Sequence, residues 1–375
     1  MSQPYRSWVE VSRTRIAENF QAVKAAVGPS IEVTPVVKAD AYRHGAVEVS
    51  RVLEAEGCRW LAVSNVEEGV TLREAGMKSR ILVMADFLPF ERKALIEYGL
   101  TPAIHDLADI AAFNQLATEA NTKAAYHLKI DSGMGRLGAR ADASSIAAAV
   151  RNSGNAVLEG LMTHFASAAD YTSPQTEQQQ TNFHCLVKDL AALGVTPIYR
   201  HLSSTIATAY GRQAAWGNMV RPGHSIYGYV SPARGDAPKQ ILKVRPALSW
   251  KASILAIKDL PEGALVGYGG IFRTQRPTRI AILAVGYADG LPHRLSNRGK
   301  VIAGGRLAPM IGSVSMDVTT IDITDSPELK VGDAVTLLGE EGGESLDAQQ
   351  LAKLASTISY SVLCGISARV KRIYV

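Results

Sequence analysis

Lys38 closes the apolar run IEVTPVV, so a long cationic amine stands where a buried-looking strand ends. Other reactive side chains sit at similar places: Lys129 and Arg136 in KIDSGMGRLG, His164 in THFASA, Ser203 and Ser204 in RHLSST, and Arg221, Gly223 and His224 in VRPGHSIYG. A lysine amine condenses with carbonyls, including the aldehyde of pyridoxal phosphate. A hydroxyl at Ser204 and backbone N–H groups around Gly223 suit a dianionic phosphate, and Arg136 suits a carboxylate. Each residue alone has a plainer reading. Lys38 can be a solvated strand end, His164 a satisfied core histidine, the two serines a cap on the helix TIATAYG, and RPGHSIYG a turn. The glycines of GMGRLG do not open a helix after a strand, so they make a weak dinucleotide motif. No cluster of His, Cys and Asp has metal-ligand spacing, and no G-x-S-x-G elbow occurs.

What would bring these groups together is a barrel. The first two-thirds of the chain alternates apolar runs with helical patterns. The runs are IEVTPVV, WLAV, ILVM, TPAI, AYHLKI, LEGLMTH, PIYRHL and NMVRP. Strand–helix alternation predicts a parallel sheet with right-handed crossovers, and this many strands predicts a (β/α)₈ TIM-type barrel. Barrel enzymes work at the C-terminal ends of their strands, where Lys38 and the other candidates fall. Beyond about residue 238 the pattern becomes β-rich with turn residues between strands, which predicts a separate, mostly-β domain. The expected division is a barrel over residues 1–237 and a C-terminal domain over 238–375, joined near SPARGDAPKQ.

Composition narrows the class further. Across 375 residues, 40 basic against 35 acidic side chains leave a net charge of +5 with no block of basic residues, so no nucleic-acid footprint is expected. Cys58, Cys185 and Cys364 form no C-x-x-C pair and cannot all be paired, which favours a reducing compartment. The opening MSQPYRSWVEVSRTRIAENF lacks the apolar core of a secretory leader, and no apolar run is long enough to span a bilayer. The expectation is a cytoplasmic protein with no membrane contact.

Seven segments, in order along the chain, resemble the bacterial alanine racemases: VVKADAYRHG, HLKIDSGMGRLG, VRPGHSIYG, VGYGG, AVGYADGLPHRL, IGSVSMD and ISYSVLCGISARVKRIY. The resemblance implies a pyridoxal 5'-phosphate-dependent homodimer that interconverts L- and D-alanine and supplies D-alanine for peptidoglycan. Lys38 would hold the cofactor covalently and act as base on one face of the substrate. Tyr268 would act on the other face, from the partner subunit, through a chain in which it touches His164 and His164 touches Arg221. Arg221 would face the pyridine nitrogen. Tyr42, Ser203, Ser204, Gly223, His224 and Tyr360 would surround the phosphate. Arg136 and the backbone N–H of Met316 would bind the substrate carboxylate, Lys129 would be carbamylated, and Tyr287 with Tyr360 would gate the entry channel.

The chain departs from the family pattern in places. Ser203 replaces Asn, Gly267 precedes Tyr268 where Ser is usual, Val318 replaces Gln and Ser361 replaces Glu. His224 in the phosphate turn is also unusual. These leave substrate breadth open, so a broader amino-acid racemase stands beside the alanine enzyme. A barrel-type decarboxylase would place a carboxylate where Arg221 stands, and a simple cofactor carrier would lack the C-terminal domain.

Overall fold

A computed structural model describes residues 5–85 and 88–375. The chain divides into two compact units, one made of Arg15–Ala41 with Ala46–Arg245, the other of residues through Thr14, Tyr42–Gly45 and Pro246–Val375. The expected boundary at 237/238 is therefore too simple. Strand β1 (Ser7–Val11) lies antiparallel to Leu248–Leu260 and parallel to Lys371–Tyr374, so the first strand of the chain is an inner strand of the C-terminal sheet. Its apolar SWVEV matches that sheet as well as it matches a barrel, and nothing local records the partner.

The first unit is a closed parallel barrel. β3 (Trp60–Val63), β4 (Arg80–Val83), β5 (Thr101–Ile104), β6 (Ala124–Lys129), β7 (Ala156–Met162) and β8 (Tyr199–His201) form a six-stranded parallel sheet in chain order. β2 (Glu32–Val33) and β9 (Met219–Val220) pair with each other in parallel. Parallel bridges Val36–Ala62 and Ser204–Arg221 join the two sheets at both edges and close the ring. β3 and β5 are buried at every position, which is why they read as unbroken apolar runs. Leu61, Val63 and Ile104 among them contribute about 1.5–3 kcal/mol each by leaving water. The helices between strands bury one stripe each; in Leu107–Glu119 it is Ile110, Phe113 and Ala117. Side-chain caps start several of them, with Asn65 accepting the Glu68 N–H at 2.9 Å and Asp142 the Ser145 N–H at 2.7 Å.

The second unit is built on the thirteen-residue strand Leu248–Leu260, which pairs antiparallel with β1, with Thr278–Leu283 and with Ala334–Glu341. Irregular register at Ile254/Ala256 and at Trp250/Lys251 lets one strand change partners along its length. Helix Ala348–Leu354 starts at a capping box in which Asp347 accepts the N–H of Gln350 and the Gln350 side chain accepts the N–H of Asp347.

Candidate active site

Val37 donates its N–H to Ala62 O at 2.8 Å, the last ladder bond before Lys38. The backbone then turns left-handed for five consecutive non-glycine residues, Ala39, Asp40, Ala41, Tyr42 and Arg43, with φ between 53° and 66°. Such a conformation costs roughly 1–2 kcal/mol per residue, so the run survives only where its surroundings hold it. Glu68 is the main clamp: Oε1 accepts the Ala39 N–H at 2.6 Å and Oε2 the Ser64 N–H at 2.7 Å. Asp40 Oδ1 accepts the Ala46 N–H at 2.8 Å at the far end. Glu68→Gln keeps one acceptor but turns an NH₂ group toward the other N–H. The variant is expected to lose about 1–3 kcal/mol of stability in denaturant unfolding. An unchanged midpoint would mean the turn is held without this carboxylate.

At the mouth of the barrel the cations gather without anions to match. Lys38, Lys129 and Arg136 make no side-chain hydrogen bond or ion pair among the described residues. Burial pushes the Lys129 amine down to about 8, helped by the charges of Arg136, Arg221 and Lys38 and opposed by Asp131. Burial, with Arg221, Lys129, Arg136 and Lys38 around it, pushes the His164 imidazole down to about 3. Arg221 is 2% exposed, and burial brings it to about 9. Asp131 is occupied in shaping its own turn, with Oδ1 accepting the N–H groups of Gly133, Met134 and Gly135 at 3.2, 2.9 and 3.0 Å, and Oδ2 meeting Arg140 at 2.7 Å.

The depressed imidazole has a consequence for stability. An unfolded chain protonates His164 near 6.5, the folded one only near 3, so between these values the unfolded state binds more protons. Stability therefore falls as pH drops from 6.5 toward 3 and is indifferent to this group above 6.5. His164→Gln is expected to narrow the gap between urea midpoints measured at pH ~5 and pH ~7.5. An equal gap in both proteins would mean that the folded state protonates this imidazole too.

Arg221 does not bond to His164. Its NH1 donates to His201 Nδ1 at 2.7 Å and to His201 O at 2.8 Å, and its NH2 to Thr163 O at 2.7 Å and Leu202 O at 3.3 Å. Those contacts use the four terminal N–H donors and leave Nε–H. The expected His164–Arg221 link is thus replaced by His201–Arg221, because His201 ends β8 just before the Ser204–Arg221 bridge while His164 follows β7.

The serine pair also separates. Ser203 is fully buried and its hydroxyl donates to Ala215 O at 2.9 Å, so its side chain points away from any phosphate. Neighbouring residues of an extended segment face opposite ways, and Ser204 faces the other. Ser204 stands at the N-cap of Thr205–Ala209 yet makes no capping bond, so its hydroxyl is unused. The Gly223 N–H is taken by Thr205 Oγ1 at 3.0 Å, which removes it as a phosphate donor. The His224 ring is buried and stacks on Tyr229 with centroids 5.0 Å apart. Thr205, His201 and Glu68 are the structural partners that motif reading passed over; His201 was visible in RHLSST but its mate was not.

In the second unit, Tyr268 sits in a turn flanked by Gly267, Gly269 and Gly270 and is 76% exposed. Tyr287 N donates to Ser315 O at 2.9 Å and Ala288 N to Met316 O at 3.0 Å, tying the Tyr287 turn to the Met316 turn. Gly286 permits this approach, since a Cβ there would lie 2.3 Å from Ser315 O. Asp289 is buried below them, meeting Arg6 at 2.8 Å and Arg369 at 3.0 Å. The Met316 N–H makes no hydrogen bond among the described residues. Tyr42 and Tyr360 pack with ring centroids 5.9 Å apart.

A barrel with an unpaired lysine at its mouth, an unused serine hydroxyl and a surplus of positive charge fits a cofactor that is at once an aldehyde and a phosphate dianion. These features define a pyridoxal-phosphate barrel enzyme with an additional β domain. Residues 11–232 match the alanine racemase N-terminal domain and residues 247–374 the alanine racemase C-terminal domain. An alanine racemase of Halothermothrix orenii is 39% identical over 369 residues, covering 98% of this chain and 96% of the relative. The solved alanine racemase of Clostridium difficile superposes with a TM-score of 0.93 at 33% identity, over 99% of this chain and 96% of that one. The Bartonella henselae alanine racemase, solved with covalently bound pyridoxal phosphate, gives 0.86 at 25% identity over 99% and 100%. The chain belongs to the alanine racemase family.

Proposed function

We propose that this protein interconverts L- and D-alanine with pyridoxal 5'-phosphate held by Lys38, using Lys38 and Tyr268 as opposed bases. The observation that carries the proposal is the surplus of cations at the barrel mouth, where Lys38, Lys129, Arg136 and Arg221 all act on the neutral His164 and only Asp131, among the described residues, opposes them at Lys129. Bound there, pyridoxal phosphate supplies an electron sink that acidifies the Cα–H of an attached amino acid. The Ser204 hydroxyl, the backbone about His224 and the phenols of Tyr42 and Tyr360 hold the phosphate. Arg136 and the Met316 N–H bind the substrate carboxylate. Lys38 Nζ moves the Cα proton on one face and Tyr268 Oη on the other.

Arg221 Nε–H is the donor offered to the ring nitrogen. A guanidinium keeps its own proton where a carboxylic acid would share one, so the ring nitrogen stays largely unprotonated and electron withdrawal is moderate. That disfavours decarboxylase and transaminase chemistry, which use a carboxylate at this point. Lys129, with an amine near 8, is roughly one-tenth neutral at pH ~7 and can take up carbon dioxide as a carbamate, whose negative charge would orient Arg136.

The exposed Tyr268, Met316 and Tyr287 turns support a homodimer in which each C-terminal unit serves the partner's barrel. We place the enzyme in the cytoplasm as a source of D-alanine for peptidoglycan. Incubating either enantiomer in deuterated water and following Cα exchange with inversion tests the activity. Carbon dioxide release without inversion would overturn it.

A further inference from the structure

Behind Arg221 a line of polar groups runs from two buried imidazoles to a partly exposed ion pair, and the racemisation chemistry uses none of them. His201 Nε2 meets His127 Nδ1 at 2.8 Å, and His127 Nε2 faces Glu159 Oε2 at 3.7 Å. Both imidazoles are completely buried. Glu159 in turn is held by Arg80 through two contacts of 2.6 and 2.7 Å, and the Arg80 guanidinium lies 4.0 Å above the Trp60 ring. Gly160 makes room for this arrangement: a Cβ there would come within 2.7 Å of the His127 ring.

The protons on this line follow from donor and acceptor chemistry. A guanidinium can only donate, so His201 Nδ1, which faces Arg221 NH1, carries a lone pair and the His201 proton is on Nε2. That N–H points at His127, so His127 Nδ1 is also a lone pair and its proton is on Nε2. The last N–H has no hydrogen-bond partner and faces the Glu159 carboxylate across 3.7 Å, so what orients it is the attraction between its dipole and that charge. Protonating either ring would set an N–H against an N–H. Burial depresses both imidazoles, which agrees with neutral rings. Burial would raise the Glu159 carboxyl, but His127 and Arg80 outweigh it and bring it down to about 2, so it stays anionic. Both ring dipoles are aligned, lone pairs toward the cation and N–H groups toward the anion.

We propose that Glu159 is a positioning residue for Arg221, acting through His127 and His201: it anchors the two imidazoles in one tautomer and so fixes the guanidinium with Nε–H toward the barrel mouth. Arg221 has no carboxylate within ion-pair distance among the described residues, and the aligned pair carries the field of a remote one to it. The inference rests on the reading of Arg221 as the partner of the ring nitrogen.

The test uses the holoenzyme labelled with ¹⁵N at histidine. At neutral pH, His127 and His201 are expected to be neutral with the proton on Nε2; an imidazolium or an Nδ1–H tautomer at either overturns the proposal, and no variant is needed for that result. Glu159→Leu removes the acceptor. It is expected to shift the absorption band of the bound cofactor and to lower kcat about tenfold, with KM for alanine changed less than about twofold. Glu159→Gln keeps the shape and an oxygen facing the His127 N–H but not the charge, and is expected to recover kcat only in part, to about threefold below the parent. A band moved by Arg221→Lys but not by Glu159→Leu overturns the role of Glu159 alone. A band indifferent to Arg221→Lys overturns the reading of Arg221, and the role of Glu159 with it.

Discussion

Lys38→Ala is expected to abolish the visible absorption of the bound cofactor and to lower racemisation by about 10⁴-fold or more, while leaving the protein folded. The loss is large because, in the function proposed above, one amine does two things: it holds the cofactor and moves a proton. The fold should survive because Lys38 Nζ makes no hydrogen bond among the described residues, so its removal strands no buried partner there. Its charge is one of those that depress Lys129 and His164, and deleting it relieves that repulsion. Thermal stability of the apoprotein should therefore be unchanged or higher, and the Lys129 amine should titrate at higher pH. The sharp alternative is Lys129, a second buried amine at the same mouth, made more nucleophilic at neutral pH by its lowered pKa. If the band persists in Lys38→Ala and vanishes in Lys129→Ala, the wrong lysine was chosen.

Parallel strands covered on both sides read as unbroken apolar runs, so WLAV and TPAI coincide with β3 and β5 to the residue. The positions just past those strands were legible because strand ends are countable. Which groups meet across the barrel was not, since adjacency between β8 and β9 depends on closure. Hence His201 and Arg221 were both in view and their bond was missed. Five left-handed non-glycine residues leave no compositional mark, because the strain is carried by Glu68, distant in sequence. The Ser203–Ser204 ambiguity was partly soluble: in extended backbone only one of two neighbours can face the mouth. β1 could not be assigned at all, because an apolar pentapeptide fits either sheet.

Tyr268→Phe is expected to lower racemisation by about 10²–10⁴-fold, the usual contribution of a general acid or base, with no change in fold or in the equilibrium ratio of enantiomers. The hydroxyl makes no hydrogen bond among the described residues and the side chain is 76% exposed, so removing one oxygen disturbs no packing. With one base gone, the enantiomer whose Cα proton faces Lys38 should still exchange with deuterated solvent, but without inversion. Equal loss of exchange for both enantiomers would mean that Tyr268 binds rather than moves a proton. Mixing decides which subunit it serves. In a mixed dimer of Lys38→Ala and Tyr268→Phe chains, shared sites place both lesions in one pocket and leave the other intact. Random reassociation should then recover roughly a quarter of parental activity from two nearly inactive proteins. If Tyr268 served its own barrel, every pocket would carry a lesion and the mixture would stay inactive.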